Sequence, residues 1–102
     1  MSDQLTNEEL QAKLNLETAK ITWKELELFF AKGKLLIVQA ESDLIQLASA
    51  IHNDEKSAVE DAIDKNLIFY PTPEWIKQNC IDGTLFWGLV IAPFVLAQPI
   101  SN

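Results

Sequence analysis

Residues Leu85–Gln98 read LFWGLVIAPFVLAQ, the most apolar stretch of the chain, and no charged side chain follows Thr84. A run of this kind has to be buried, and whatever buries it fixes the architecture. Leu85–Ala92 shows no alternation of apolar and polar residues, the pattern of a central strand covered on both faces. Pro93 cannot donate to a ladder and should end that strand. Phe94–Gln98 then makes a second strand or a turned continuation. A membrane span is the competing reading, but the apolar part is only fourteen to sixteen residues, short of the about 20 that a crossing helix needs. Pro93 sits in its middle and no basic flank follows, so a buried strand pair fits better.

Working outward, the segment before this run restarts helix. Thr72 is placed to cap and Pro73 to open a helix carrying Trp75, Ile76 and Cys80, where the missing N–H of proline costs nothing. Asp82-Gly83 stops it. Leu67–Tyr70, LIFY, reads as a short strand. Asp54 to about Lys65 reads as a helix with Ala58, Val59, Ala62 and Ile63 inward, Glu60, Asp61 and Asp64 outward, and Asn66 closing it. Ahead of that, Leu44, Leu47, Ala48 and Ile51 mark one helix face after a cap at Ser42 or Asp43. Lys34–Ala40, KLLIVQA, is a further short strand.

The N-terminal third carries the same start signal twice. Thr6 and Glu9 have capping-box spacing, and so do Thr22 and Glu25; Leu5 with Leu10, and Ile21 with Leu26, stand where hydrophobic staples would. The spacing predicts a helix from Asn7 to about Lys20, a break near Ile21–Thr22, and a second helix over Trp23–Lys32 that shows Leu26, Phe29 and Phe30 inward and ends on a left-handed Gly33. Together these elements describe an α+β domain over residues 6–100, a sheet of three or four short strands packed against about five short helices, with residues 1–5 disordered.

The chain of 102 residues bears a net charge of -7, and all eight of its bases are Lys. Arginine supplies the planar fork that grips phosphates and carboxylates, so an acidic chain without it is a poor nucleic-acid binder and is repelled by acidic lipid surfaces. Cys80 is the sole cysteine and forms no internal disulfide. With no apolar signal core in MSDQLTNEEL, the expected setting is the cytoplasm.

Chemistry-bearing constellations are few. A Cys80–His52 pair needs direct contact to make a nucleophile; a buried inert thiol and a helix-end histidine are the plainer readings. One His and one Cys cannot complete an ordinary zinc site. Glu60 and Asp64 could hold a hard cation, yet a solvated acidic helix face explains them as well, and Asn53-Asp54-Glu55 lacks the spacing of a calcium loop. The three glycines lie in no phosphate-cradling turn. No cofactor is expected. Among candidate ligand or partner contacts, Glu41, Asp43 and Gln98 stand at strand ends, where open sheets bind ligands, with Lys20 a further possible contributor. Helix capping by Asp43 and solvation of Glu41 are the alternatives. Trp23, on a first helical turn, is a candidate partner contact, and Trp87 and Phe94 are candidates for a homodimer interface that covers what the helices leave bare.

Glu17-Thr18-Ala19-Lys20-Ile21, Trp23, Glu25-Leu26, Phe29-Phe30-Ala31 and Gly33 resemble the opening motif of a small bacterial family known only as a domain of unknown function, number 2288. Asp43-Leu44-Ile45 is similar to its middle, and Trp87 with Val90–Gln98 to its close. The resemblance spans about Leu16–Gln98 and implies a small bacterial cytosolic protein without a stated mechanism. Three functions are consistent with these features. The first is a non-catalytic dimeric interaction or regulatory module. The second is a small-molecule-binding protein or enzyme with a cleft near Glu41, Asp43 and Gln98, and the third is peripheral membrane association through the apolar run.

Overall fold

A computed structural model of the chain describes residues 6–81 and 83–100. The expected disorder of residues 1–5, the Leu5 half of the first staple, and Asp82 fall outside the described residues. The elements run α1 (Asn7–Glu17), β1 (Ala19–Thr22), α2 (Trp23–Ala31), β2 (Leu35–Val38), α3 (Leu44–His52), α4 (Lys56–Asp64), β3 (Ile68–Phe69), α5 (Pro73–Asn79), β4 (Leu85–Ile91) and β5 (Phe94–Pro99). The five strands form one mixed sheet in the order β1-β4-β5-β2-β3. The architecture is therefore α+β, with five strands where the sequence suggests three or four.

The extra strand is β1. Thr18 ends α1 in an extended conformation, with its hydroxyl donating to the Leu14 carbonyl at 2.7 Å. The next residues, AKIT, then pair antiparallel with β4, Ile21 opposite Phe86 and Lys20 opposite Trp87. Four residues squeezed between a helix end and a helix cap are too few to show a strand period, and helix propensity alone carries Ala19 and Lys20 into the preceding helix. Both capping boxes form: Thr6 and Thr22 accept from Glu9 and Glu25, and each Glu reaches back to the cap N–H. The Thr6 contacts hold the Glu9 carboxyl below the usual carboxylate range.

The apolar run folds into the β4–β5 hairpin, Ile91 opposite Phe94 and Leu89 opposite Leu96, with Ala92-Pro93 as the turn. The strand covered on both faces is β5, not β4. β5 lies in the middle of the sheet, antiparallel to β4 and parallel to β2. On β4, Leu85, Trp87 and Val90 remain 43%, 36% and 63% exposed. Leu85 and Trp87 are uncovered on one face and Val90 on the other, while Phe86 and Ile91 beside them are buried.

Two cores flank the sheet. Leu36, Val38, Leu89 and Leu96 pack on one face under Leu10 and Leu14 of α1, Leu44 and Ala48 of α3 and Ala62 of α4. Leu35, Ile37, Phe86, Val95 and Ala97 pack on the other with Trp23 and Leu26 of α2 and Cys80 after α5. The period-two alternation of side chains sends neighbours in β2 and β5 to opposite cores. On α4 the inward stripe is narrower than expected: Ala62 is buried and Val59 half-buried, while Ala58 and Ile63 face solvent. Only the helix edge against α3 and β3 is covered.

Three helices end in the same motif. Gly33, Asp54 and Asn66 adopt positive φ of 71°, 55° and 61°. At each, paired backbone bonds close the helix, as in Gly33 N–H to Phe30 and Lys34 N–H to Phe29. Elsewhere, Gly88 is needed for space. A Cβ there would lie 2.8 Å from Ile21 Cγ1, because Ile21 of β1 folds across β4. Gly88→Ala should therefore lower stability by about 1–3 kcal/mol through overpacking. Gly88→Ala/Ile21→Val should recover part of that loss, which thermal unfolding of the single and double variants measures.

Candidate functional site

Strand β2 ends at Val38, and the loop Gln39–Asp43 carries the chain to α3. The Asp43 carboxylate caps that helix, accepting from Gln46 N–H at 3.0 Å. Gln98 lies directly behind the loop, 8% exposed. Its amide nitrogen donates to the Gln39 carbonyl at 2.8 Å and to the Ser42 carbonyl at 2.6 Å. So Gln98, the polar residue closing β5, is a tie that holds the loop to the sheet and leaves no amide donor for a ligand.

Glu41 and Asp43 do come together in one cleft, of about 410 Å³, between α3 and α4. Asp61 stands on its rim, and Leu47, Ala50, Ala62 and Leu67 make its floor. The alanines create the space, since small side chains leave the two helices a groove at that level. Its acids are partly occupied: Asp43 by capping, and Asp61 by an ion pair with Lys65 at 3.0 Å. A larger cleft of about 520 Å³ opens on the same side of the sheet, between α1, the end of α3 and the β4–β5 turn.

The aromatic candidates separate. Trp23 is a core residue, 9% exposed, with its ring 6.0 Å from Phe30. The expectation that it offers a partner contact is corrected by the path of the chain. As the first residue of α2 it is fixed by its N–H on the Thr84 carbonyl, and its indole turns under the sheet. Phe94 is half-buried against the first core, 6.5 Å from Tyr70. Trp87 is exposed on the other end of the hairpin, paired with Gln98 in register and with Lys20 Nζ 5.4 Å from its ring centre.

Cys80 and His52 cannot act on one another. The thiol belongs to the core under α2, whereas His52 ends α3 on the opposite face of the sheet. Burial pushes the Cys80 thiol up to about 11, which keeps it protonated and unreactive at neutral pH. Among the described residues no group of three His, Cys, Asp or Glu is placed to hold a metal ion, and no helix is long and apolar enough to cross a membrane. Lys20, Glu60 and Asp64 are exposed. The residues that sequence reasoning passes over are Lys13, Glu17 and Asp54, which line the larger cleft. Only the positions of Lys13 and Glu17 on the Leu10–Leu14 face of α1 hint at it.

Residues 9–99 match the family model described as Protein of unknown function (DUF2288), and the chain belongs to that family. It is similar to PA1075 from Pseudomonas aeruginosa, whose solution structure was determined by NMR. The two share 31% identity over 100% of this chain and 93% of that one, with a TM-score of 0.77. No curated protein matches.

Two outcomes test this geometry. Gln98→Leu strands two carbonyls and should cost about 1–3 kcal/mol, read as a lower melting temperature together with faster amide exchange in the Gln39–Asp43 loop. The raised Cys80 value means that the folded state holds the proton more tightly than the unfolded one. Its stabilising effect should be complete below pH 9.0 and disappear as the pH rises towards about 11. The urea midpoint of the wild type should therefore fall more steeply than that of Cys80→Ala across that window.

Proposed function

We propose that this member of the family is a non-catalytic interaction module that acts as a homodimer, with the uncovered start of β4 as its contact. The observation that carries the reading is the pair Leu85 and Trp87. Two residues apart, they share one sheet face, next to the edge strand β1, and remain 43% and 36% exposed. Large apolar side chains on a strand next to a free sheet edge are what a second copy covers in an isologous contact. Lys20 over Trp87 keeps the patch from being wholly apolar, and an edge lysine discourages open-ended strand pairing. The separation of Cys80 from His52 and the protonated state of the thiol support a role without covalent chemistry. A reducing cytoplasmic setting belongs to the same reading, because the buried thiol has no partner to oxidise with inside the chain.

Trp87 is 36% exposed in the protomer, so covering the rest of it is worth about 0.5–1 kcal/mol, counted twice in a two-fold contact. Sedimentation equilibrium at tens of micromolar should give a dimer, and Trp87→Ala should weaken it by about tenfold. A wild-type monomer would sink the proposal.

A second reading rests on the Glu41–Asp43 cleft. Its acidic rim over an apolar floor suits a small cationic molecule with a hydrophobic body. A thermal-shift screen of amines and metabolites should raise the melting temperature of the wild type and not of Glu41→Gln; no stabilising compound in a broad panel removes this reading.

A further inference from the structure

We propose that the cleft between α1, the end of α3 and the β4–β5 turn binds an apolar zwitterion, a free amino acid or short peptide carrying both an ammonium and a carboxylate group. The site is separate from the proposed dimer contact and does not depend on it. Its volume of about 520 Å³ lies within the range of small-molecule sites. Leu14 and Phe94 belong to its apolar lining, and four polar side chains ring it: Lys13 and His52 as donors, Glu17 and Asp54 as carboxylate acceptors. The ion pair formed among the described residues is Lys65–Asp61 on α4, so none of these four is neutralised by another. Lys13 and Glu17 stand one helical turn apart on α1 and form no ion pair with each other.

Unpaired charges of both signs around an apolar lining complement a ligand with the same three features in reverse. The ligand carboxylate meets Lys13 on α1, its ammonium meets Glu17 and Asp54, and its hydrocarbon lies on Leu14 and Phe94. The C-terminal end of α3 favours a positive group, which places the ammonium on the Asp54 side. Asp54 holds a φ of 55°, a conformation glycine would adopt without strain, as Gly33 does at the end of α2. At this helix end the chain carries a carboxylate instead.

Amide chemical-shift titration of the full chain with L-leucine and with L-leucyl-L-leucine tests the proposal. At least one should shift the amides of Ile91, His52 and Asp54 saturably, and whichever saturates identifies the free amino acid or the peptide as the ligand form. L-leucinamide, lacking the carboxylate, and 4-methylpentanoate, lacking the ammonium, should each bind about tenfold more weakly, as expected for losing a charged hydrogen-bonding group. Lys13→Gln and Asp54→Asn, both at exposed positions, should weaken binding by a similar factor with the melting temperature unchanged. The proposal fails if neither zwitterion shifts these amides at about 10 mM, well above a millimolar Kd. It fails equally if the single-charge analogues bind as well as the zwitterions, or if either variant binds like the wild type.

Discussion

The antiparallel pairing of Leu85–Ile91 with Phe94–Pro99 across a two-residue turn is the interaction from which every other element takes its place. It puts β5 between β4 and β2, so that Val95–Ala97 are paired on both sides and buried. β5 alternately feeds Leu96 to the core beneath α1, α3 and α4 and Val95 and Ala97 to the core beneath α2 and α5. Like β2 and β4 on either side of it, it forms part of the wall that the two cores share. β1 then has only β4 to pair with, and β3 only β2, which makes both edges dependent on the hairpin for their position.

The same pairing explains what is left exposed. β1 pairs with Leu85–Gly88 alone, so Leu89–Ile91 run on past it, and each face of β4 is covered over only part of its length. The exposed side chains of β4 lie towards its two ends, and the two ends have different surroundings. Leu85 and Trp87 border the short edge strand, where a partner can approach. Val90 borders the turn, where α1 and α3 converge and the charged cleft opens. The tie from Gln98 to the Gln39–Asp43 loop carries the rigidity of β5 into the region where α3 begins.

Much of this was legible in the residues because local signals agreed with the final packing. Both capping boxes, the Asp43 and Thr72 caps, Pro73 at a first helical turn, the left-handed Gly33 and the break at Pro93 depend on chemistry within a few residues, and each is where its signal places it. What escaped depends on distant neighbours. Ala19–Thr22 is a strand because β4 lies beside it. LFWGLVIA reads as covered on both faces, yet coverage is set by where the helices pack on each face, which the strand itself does not encode. Trp23 looks accessible from its place in a first turn, and only the Thr84 contact sends it inward. For the candidate sites, Glu41 and Asp43 were readable as strand-end acids. The inward role of Gln98 was not, since it requires a loop 56 residues away. The second cleft is assembled from α1, α3 and a turn that no sequence pattern links.

Native-state hydrogen exchange is the most direct test of the central place given to β5. The amides of Val95–Gln98 should be the slowest in the molecule, opening only with global unfolding, while those of Ala19–Thr22 and Ile68–Phe69 open at lower cost. Exchange from β5 as fast as from either edge strand would contradict the account.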